Sequence, residues 1–590
     1  MGGGAFGVHA LSPRPVSSAS PTLPPPAPPA LRPVPSFLAS LLPVLLPLVL
    51  AAIALGVVLA RLFPAGGEQP APALRFTDVT AAAGLRFVHQ QGGTEAPTTL
   101  GGAVAVLDFN GDGHPDLFFV NGAPWPWEET LDKRLGRSGA LLRNDGRGHF
   151  TDVTSAAGLN VEMQGMAAVA GDFDNDGLTD LFVTCVGPNH LFRNLGGGRF
   201  EDVTEPAGVA GDENTWSTGA TWIDIDADGR LDLVVLHYVR WPQEVPLGQA
   251  FLIADVGRSY GAAVGFLSTF PTVYHNLGHG RFAVVPNSAG LRNVDPETRL
   301  PVSQPLALTP VDADGDLRLD LLVTYQLAPP ALFLNQGDGT FRKAARAPDR
   351  RQEGAAGLAA ASSLPFAQAD GADERFAALR AAGTLVAATP GSGLPARLSV
   401  AAADLDLNGR LELFSGEGAL EPNINKFEDG RNFRREPRVY WNTGRDWRAV
   451  PARPGDAGAA PLPEVVARGV AVADFDGDGD PDVVIAQNNG SPVLLRNDQR
   501  LALPWLRLHL IATRSAEEAG GARVEVHTPR RIHVQTVTPA LGFMAQSEST
   551  LTFGLGDDAR VRRIVIHWPS GQVQELTPGA LNRTMEIREP

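Results

Sequence analysis

Short apolar runs alternate with runs of aspartate, asparagine and glycine along residues 74–500 of the chain. The acid-rich runs begin at Asp108, Asp172, Asp224, Asp312, Asp404 and Asp474. The residues after each of them, such as 231–235, are mostly apolar and β-branched. Runs of this length and composition between turn signals are typical of buried β-strands. The pattern therefore predicts a repeating unit of strand, acidic loop and strand.

A second phrase recurs in each unit and extends the prediction. It has the form Leu-x-x-Asn-x-Gly-x-Gly-x-Phe, and it occurs at 141–150, 191–200, 273–282 and 332–341, with weaker versions at Val439 and Leu494. A third phrase, Phe-Thr-Asp-Val-Thr, begins at Phe150 and is echoed from Phe200. Glycine-rich turns between apolar runs indicate hairpins. Each unit is therefore predicted to form a sheet of short strands.

An isolated copy of the third phrase lies at 76–80, before the first acidic loop, and the last unit lacks that phrase after Asp498. A strand from one terminus can complete the sheet that the other terminus builds, which closes a ring of sheets. We therefore predict an all-β fold with a closed β-propeller at 74–500. Six units can be counted. The spacings of 88 and 92 residues around the fourth loop leave room for a seventh blade or for insertions.

The acidic loops place oxygen-bearing side chains at positions 1, 3, 5 and 9 every time. The predicted metal ligands are Asp108, Asn110, Asp112 and Asp116; Asp172, Asp174, Asp176 and Asp180; Asp224, Asp226, Asp228 and Asp232; Asp312, Asp314, Asp316 and Asp320; Asp404, Asp406, Asn408 and Glu412; and Asp474, Asp476, Asp478 and Asp482. Crowded carboxylates repel one another unless a cation neutralises them. Oxygen donors in a flexible loop suit Ca²⁺ better than Mg²⁺. We expect up to six calcium ions.

These loops differ from an EF-hand. That motif has a bidentate glutamate at position 12 and a helix after it, whereas position 12 here is never acidic and strands follow. Glycine at position 6 allows a positive φ. Leu317 stands at this position in the fourth loop, so weak binding or a shifted geometry is expected there.

With these motifs in view, the chain resembles a known family. The loops and the asparagine-glycine phrases are similar to the FG-GAP/VCBS repeats of integrin-α-like propellers, and the overall order resembles bacterial relatives of cartilage acidic protein 1. Residues 501–590 contain alternating strand-like runs that predict a small β-sandwich. Their phrases at 521–526, 542–547, 553–556 and 568–571 resemble an ASPIC/UnbV domain. The resemblance implies a binding or adhesion protein and assigns no activity to this last domain.

The N-terminal segment predicts export. Residues 1–36 are rich in proline and predict a disordered tail, and residues 37–60 carry no charge over a length that can cross a bilayer. We expect a transmembrane signal anchor, or a signal sequence cleaved near Ala71-Pro72-Ala73. Residues 61–73 form the linker. The folded part is then extracytoplasmic, in the periplasm or at the cell surface, and secreted if cleavage occurs.

Composition narrows the function further. The net charge is −16, but 23 of the 65 acidic residues lie in the six loops, and no basic stripe for nucleic acid stands out. The single Cys185 excludes an intramolecular disulfide and is expected to be a buried strand residue. His237, His275 and His279 lack a partner at metal-ligand spacing in the sequence and are expected to be structural or exposed.

An enzyme has little support in the sequence. The segment 257–261 matches the G-x-S-x-G pattern of a nucleophile elbow around Ser259, but too few residues surround it for an α/β-hydrolase sheet. We therefore expect no catalysis and a module that binds protein or glycan through its loops. Two alternatives remain: an exported enzyme or biosynthetic accessory protein with a site in the propeller channel or in insertions, and a structural envelope protein.

Overall fold

The computed structural model describes residues 74–90, 100–123, 138–241, 251–253, 257–259, 266–326, 328–344, 399–420, 422–426, 430, 432–444, 447–451, 453–454, 462–498, 502–516, 519–538 and 544–590. In these residues the fold is all-β, as predicted, with thirty-five short strands. The helical elements there are α1 (Thr154–Ala157), α2 (Thr204–Ala207) and two 3₁₀ segments, Pro286–Gly290 and Ile424–Lys426.

Six antiparallel sheets follow the six repeats in chain order, and we name them sheet 1 to sheet 6. Sheet 1 contains β2 (Val104–Leu107), β3 (Asp116–Phe119), β4 (Ala140–Asn144) and β5 (Phe150–Asp152). Sheet 2 contains β6 (Gly165–Gly171), β7 (Asp180–Cys185), β8 (His190–Asn194) and β9 (Phe200–Asp202). Sheet 3 contains β10 (Thr215–Ile223), β11 (Asp232–Arg240), β14 (Thr272–Asn276) and β15 (Phe282–Val284).

The other three sheets repeat this order. Sheet 4 contains β16 (Pro305–Val311), β17 (Asp320–Tyr325), β18 (Ala331–Asn335) and β19 (Phe341–Lys343). Sheet 5 contains β20 (Ser399–Ala403), β21 (Glu412–Gly416), β22 (Arg438–Asn442) and β23 (Trp447–Pro451). Sheet 6 contains β25 (Ala467–Ala473), β26 (Asp482–Gln487), β27 (Val493–Asn497) and β1 (Arg75–Asp78), with β24 (Arg453–Pro454) at its edge.

The first two strands of each sheet are its most buried. In β10 and β17, for example, every residue is buried, because neighbouring sheets cover both faces. The continuous apolar runs in the sequence follow from this two-sided burial.

The N-terminal strand completes the last sheet, as the isolated phrase at 76–80 predicts. β1 pairs antiparallel with β27, with Phe76 opposite Asn497. Thr80 Oγ1 accepts a hydrogen bond from Leu494 N at 2.9 Å, as Thr154 Oγ1 does from Leu141 N at 2.9 Å within sheet 1. β1 is therefore the fourth strand of sheet 6, in the position that β5 occupies in sheet 1.

In four of the six sheets, the asparagine of the repeated phrase joins its sheet to the preceding one. Its Nδ2 donates to a loop carbonyl of the preceding sheet, over distances of 2.8 to 3.0 Å: Asn144 to Phe475 O, Asn194 to Phe109 O, Asn276 to Phe173 O and Asn497 to Leu405 O. Thr218 Oγ1 of sheet 3 lies 3.4 Å from Pro305 O of sheet 4. The sheets thus follow one another in the order 5, 6, 1, 2, 3, 4. Residues 345–398, which lie in the long spacing between the fourth and fifth acidic loops, are outside the described part.

The C-terminal residues form two sheets around one apolar core. One contains β28 (Trp505–Ile511), β32 (Leu551–Gly554) and β35 (Thr584–Arg588). The other contains β29 (Arg523–His527), β30 (Ile532–Thr536), β33 (Arg563–His567) and β34 (Val573–Leu576). Side chains of both sheets, such as Leu508, Val526 and Ile566, are fully buried together. This sandwich also supplies β31 (Ala545–Gln546), which pairs with β2 of sheet 1.

Two single residues, Trp568 and Ser259, lie in hairpins. Trp568 is fully buried and heads the turn from β33 to β34, with Gly571 N bonded to Trp568 O at 2.9 Å, so it is a structural anchor. Ser259 lies in a two-stranded hairpin, where β12 (Phe251–Ile253) pairs with β13 (Gly257–Ser259). A nucleophile elbow needs a strand-to-helix turn at this serine, and residues 260–265, where that helix would begin, lie outside the described part.

The predicted anchor at 37–60, with the tail before it and the linker after it, lies outside the described residues. Within the described ranges, no helix has both the length and the apolar character that a membrane crossing requires.

Candidate metal centres in the repeated loops

Each acidic loop joins the first and second strands of its sheet, and all six are folded around the carboxylate at position 1. This carboxylate accepts a hydrogen bond from the amide at position 6, over 2.8 to 3.1 Å: Asp108 from Gly113, Asp172 from Gly177, Asp224 from Gly229, Asp312 from Leu317, Asp404 from Gly409 and Asp474 from Gly479. The residue at position 6 has φ between 69° and 96° in every loop. The six loops therefore share one geometry.

The carboxylate at position 9 is buried and fixes the loop to its sheet. Asp180, for example, accepts Phe173 N at 3.1 Å and Asn194 N at 2.7 Å. Asp116, Asp232, Asp320 and Asp482 make the equivalent pair of bonds. The repeated asparagine thus donates its backbone N–H to the carboxylate of its own loop. In four sheets its side chain also bonds the preceding sheet. The recurrence of this asparagine in the repeated phrase was the signal for this role, which was not predicted from the sequence.

The carboxylates of four loops converge closely. One ligand atom from each member lies within 4.8 Å of the others in Asp172, Asp174 and Asp180; in Asp224, Asp226 and Asp228; in Asp312, Asp314 and Asp316; and in Asp404, Asp406 and Glu412. The structure therefore brings together ligands that the sequence predicts for the second to fifth loops. For the first and sixth loops, the shared hydrogen bonds around Asp108 and Asp474 give the same fold.

Burial makes these groups costly to ionise. Desolvation, with a smaller contribution from neighbouring carboxylates, raises the pKa of Asp116 and of Asp180 to about 8 and the pKa of Asp320 to about 7. The pKa of Glu412 is raised well above its usual value for the same reasons. A divalent cation favours the ionised carboxylates and removes the repulsion between them.

Several ligand oxygens are buried without a hydrogen-bond partner. They are Oδ1 of Asp174, Asp226 and Asp476 at position 3, Oδ1 of Asn408 and Oε1 of Glu412. A buried polar atom normally has a partner, because leaving it unsatisfied costs about 1–3 kcal/mol. Oxygen donors alone, several of them anionic and unsatisfied, fit a hard divalent cation.

The fourth loop corrects one expectation. Leu317 replaces glycine at position 6, yet it adopts φ 69°, and its amide bonds Asp312 Oδ2 at 3.1 Å. The predicted shift in geometry is therefore wrong. The left-handed conformation is unfavourable for a leucine, so the weaker binding predicted for this loop remains a prediction.

Basic side chains also contact the loops, and His275 is one that the sequence did not place there. Arg193 Nε lies 2.6 Å from Asp174 Oδ2, and its Nη2 lies 3.2 Å from Asp176 Oδ2. His275 Nδ1 lies 3.1 Å from Asp232 Oδ1 and groups with Asp226. We expected His275 to lack a partner at metal-ligand spacing, but the fold places it beside the third loop from a distant part of the chain.

The remaining single residues behave as expected. His237 is buried between the hydroxyl groups of Ser217 at 3.1 Å and Thr272 at 2.8 Å, and burial lowers its pKa to about 4. Cys185 is a buried strand residue. Both residues are buried in the second strand of their sheets, β11 and β7, and contribute to packing.

Comparison with known families identifies the modules. The FG-GAP-like repeat matches residues 108–183 and 172–235, and the FG-GAP repeat matches 466–497. The ASPIC and UnbV family matches residues 512–590. The chain is therefore a protein with FG-GAP repeats and a C-terminal ASPIC/UnbV domain. Both modules are the ones that the sequence motifs indicated.

Among curated proteins, the chain is weakly homologous to cartilage acidic protein 1. The Homo sapiens protein is 25% identical over 63% of this chain and 63% of its own length. The Xenopus tropicalis protein is 27% identical over 46% of this chain and 43% of its own length. The chain thus spans less than two thirds of the length of these relatives.

Solved structures give distant similarities. An Agrocybe aegerita lectin that recognises non-reducing terminal N-acetylglucosamine aligns with 68% of this chain and 81% of its own, at 15% identity and a TM-score of 0.31. The V. cholerae biofilm matrix protein Bap1 aligns with 85% of this chain and 83% of its own, at 12% identity and a TM-score of 0.23.

Proposed function

We propose that the chain is an exported, membrane-anchored β-propeller of six to seven blades that binds calcium in its repeated loops and acts as a binding or adhesion module. The observation that carries the proposal is the identical construction of the six acidic loops. Every sheet uses its position-9 carboxylate to hold its own loop, and four of the loops bring carboxylates within 4.8 Å of one another. Calcium in such sites is structural, because it neutralises charge and fixes loop shape.

If the loops bind calcium, removing one ligating side chain should affect only the site to which it belongs. Asp176→Ala removes the position-5 carboxylate of the second loop, and we expect the bound calcium to fall by one ion per chain while the other loops keep theirs. Elemental analysis and calorimetric titration measure this. The control is Glu201→Ala, which removes an exposed acidic side chain from β9 of the same sheet. Equal calcium content in the wild type and in Asp176→Ala would contradict the assignment of this site.

The ligand-binding face is proposed to lie opposite the calcium loops. The calcium loops join the first and second strands of each sheet, so the connections from the second to the third strand emerge at the other end. On that side, Leu267, Leu300 and Val302 are 69%, 54% and 39% exposed. Ser268 Oγ donates to Ser303 O at 3.1 Å and links the two segments that carry them. Exposed apolar residues of this kind are typical of interaction surfaces.

A binding screen tests this function. The protein is presented with calcium to an array of glycans and to a panel of purified extracellular proteins, and saturable binding to a defined ligand is the expected result. The double substitution Leu267→Asp and Leu300→Asp is expected to weaken that binding, while Val573→Asp, on the C-terminal sandwich, serves as the exposed control. Binding that is unaffected by the double substitution would place the ligand face elsewhere.

Export and anchoring rest on residues 37–60. We infer that this uncharged segment holds the folded part outside the cytoplasm, with secretion as the outcome if it is cleaved. Alkaline carbonate extraction of membranes separates the two cases, because an uncleaved anchor stays in the pellet. Release of the intact chain, with its N-terminus uncut, would contradict the membrane anchor.

An axial catalytic site has no support in the described residues. The space bounded by inner strands of sheets 2, 3 and 4 and by Met544 and Ala545 is only about 10 Å³, which is room for about one water molecule. Residues of the chain itself fill this part of the axis, so we propose binding at the blade-connecting loops.

A further inference from the structure

The segment Met544–Glu548 of the C-terminal domain lies among the innermost strands of three sheets, and we name it the axial segment. Its strand β31 adds in parallel to β2 of sheet 1, with Ala545 opposite Val104. Met544, Ala545, Gln546 and Ser547 are at most 9% exposed. The ASPIC/UnbV domain therefore extends into the ring of sheets.

Side chains of the axial segment bond the inner strands of two further sheets. Gln546 Oε1 accepts Ala170 N at 2.7 Å, and Gln546 Nε2 donates to Ala170 O at 3.1 Å, so one amide group satisfies both backbone groups of this residue in sheet 2. Ser547 Oγ accepts Val472 N of sheet 6 at 3.0 Å, and Glu548 N donates to Val472 O at 3.1 Å. β6 and β25 are edge strands of their sheets. These bonds therefore satisfy backbone groups of Ala170 and Val472 on the open edges of those strands.

The inner strands have small residues where the axial segment passes. A Cβ at Gly469 would lie 2.9 Å from Met544 O, which is too close for any larger residue without movement. Ala167, Ala168, Gly219 and Ala307 line the small remaining space beside Met544 and Ala545. The ring and the segment are therefore complementary in shape.

The same domain contacts the calcium loops of sheets 5 and 6 at their position-1 carboxylates. Arg507 is 8% exposed, and its Nη1 lies 2.8 Å from Asp474 Oδ2, while its Nη2 bonds Glu548 of the axial segment. In the fifth loop, Gly554 N donates to Asp404 Oδ2 at 2.9 Å, and Gly556 N donates to Leu407 O at 3.0 Å. Arg507 thus connects a predicted calcium ligand directly to the axial segment.

We propose that the ASPIC/UnbV domain is an axial plug whose seating in the ring is coupled to calcium in the fifth and sixth loops. This inference rests on the proposed calcium binding. Without the cation, the carboxylates of each loop repel one another, and the loop shape that Gly554, Gly556 and Arg507 contact is no longer held. The coupling is reciprocal, because a plug that binds only the loaded loops must also raise their calcium affinity.

The test uses the full chain, hydrogen exchange measured by mass spectrometry and calcium titration. Gln546→Ala removes both bonds to Ala170 and leaves every predicted calcium ligand in place. We expect faster exchange in the axial segment and roughly five-fold or greater weakening of two calcium sites, the lower range of typical coupling between sites. Gln574→Ala, on the distant strand β34, is the matched control and should change neither quantity.

Each combination of the exchange and calcium-titration results either supports or refutes the proposed coupling. Faster exchange in the axial segment together with weaker calcium binding supports the coupled plug. Faster exchange with unchanged calcium affinity refutes the coupling, and unchanged exchange in the axial segment refutes the role of Gln546 in seating it. A wild-type chain that binds no calcium refutes the proposed function instead, which distinguishes the two failures.

Discussion

Removing calcium with EGTA is expected to lower the melting temperature of the protein by at least about 10 °C. An ion that binds only the native state stabilises it by about 2.7 kcal/mol when its free concentration is one hundred times the dissociation constant. Several such sites together match the whole net stability of a typical domain, about 5–15 kcal/mol. Differential scanning calorimetry with and without EGTA measures the shift.

Two controls make this result specific for calcium. Adding excess Ca²⁺ to the EGTA-treated protein is expected to restore the original melting temperature, whereas Mg²⁺ is expected to restore little of it, because Mg²⁺ demands a stricter octahedral geometry and keeps its water. A protein that melts at the same temperature in EGTA and in calcium would contradict a stabilising role for the loops.

The second large effect concerns the strand that completes sheet 6. Phe76 is fully buried, and its ring packs edge-on against Phe414 with centroids 5.7 Å apart. We expect Phe76→Ala to destabilise the protein by about 3–5 kcal/mol, as large-to-small changes of core aromatics do. The loss should also release the N-terminal strand. Chemical denaturation measures the free energy of unfolding, and limited proteolysis measures cleavage near residues 74–80.

Phe150→Ala is the matched comparison for this variant. Phe150 begins the same phrase in sheet 1, is buried, and packs against Phe475 at 5.6 Å, but its strand is not supplied by a chain terminus. It should lose similar stability without exposing residues 74–80 to protease. If Phe76→Ala costs less than about 1 kcal/mol, as an exposed substitution does, terminal closure of the ring does not stabilise the fold.

Local repetition explains what could be predicted from the sequence. The acidic loops, the strands beside them and the phrase at 76–80 each have a recognisable composition, and the pairing of β1 with the last sheet was predicted from them. The position of glycine in the loops predicted the positive φ at position 6, and even Leu317 adopts it because the surrounding hydrogen bonds impose it.

Contacts between distant parts of the chain explain what could not be predicted. The bond between Gln546 and Ala170 spans 376 residues, and no periodicity in either segment indicates it. His275 reaches the third loop only because β14 returns beside β11. The repeated asparagine was visible as a motif, but its bond to the preceding sheet depends on how the sheets follow one another. Such roles appear only once the fold brings the segments together.

These contacts join the first strand of the described chain to sheet 6 and the C-terminal domain to the acidic loops of sheets 5 and 6. We propose that the loops depend on calcium, since their carboxylates are crowded, partly buried and in part unsatisfied. Loss of calcium should therefore destabilise both the sheets and the proposed seating of the C-terminal domain.

The most direct test of this account is the metal content of the purified protein, measured by inductively coupled plasma mass spectrometry after exhaustive dialysis against metal-free buffer. The account predicts several calcium ions per chain, approaching one for each of the six acidic loops. A correctly folded protein that contains no calcium, and takes up none when calcium is added, would contradict it.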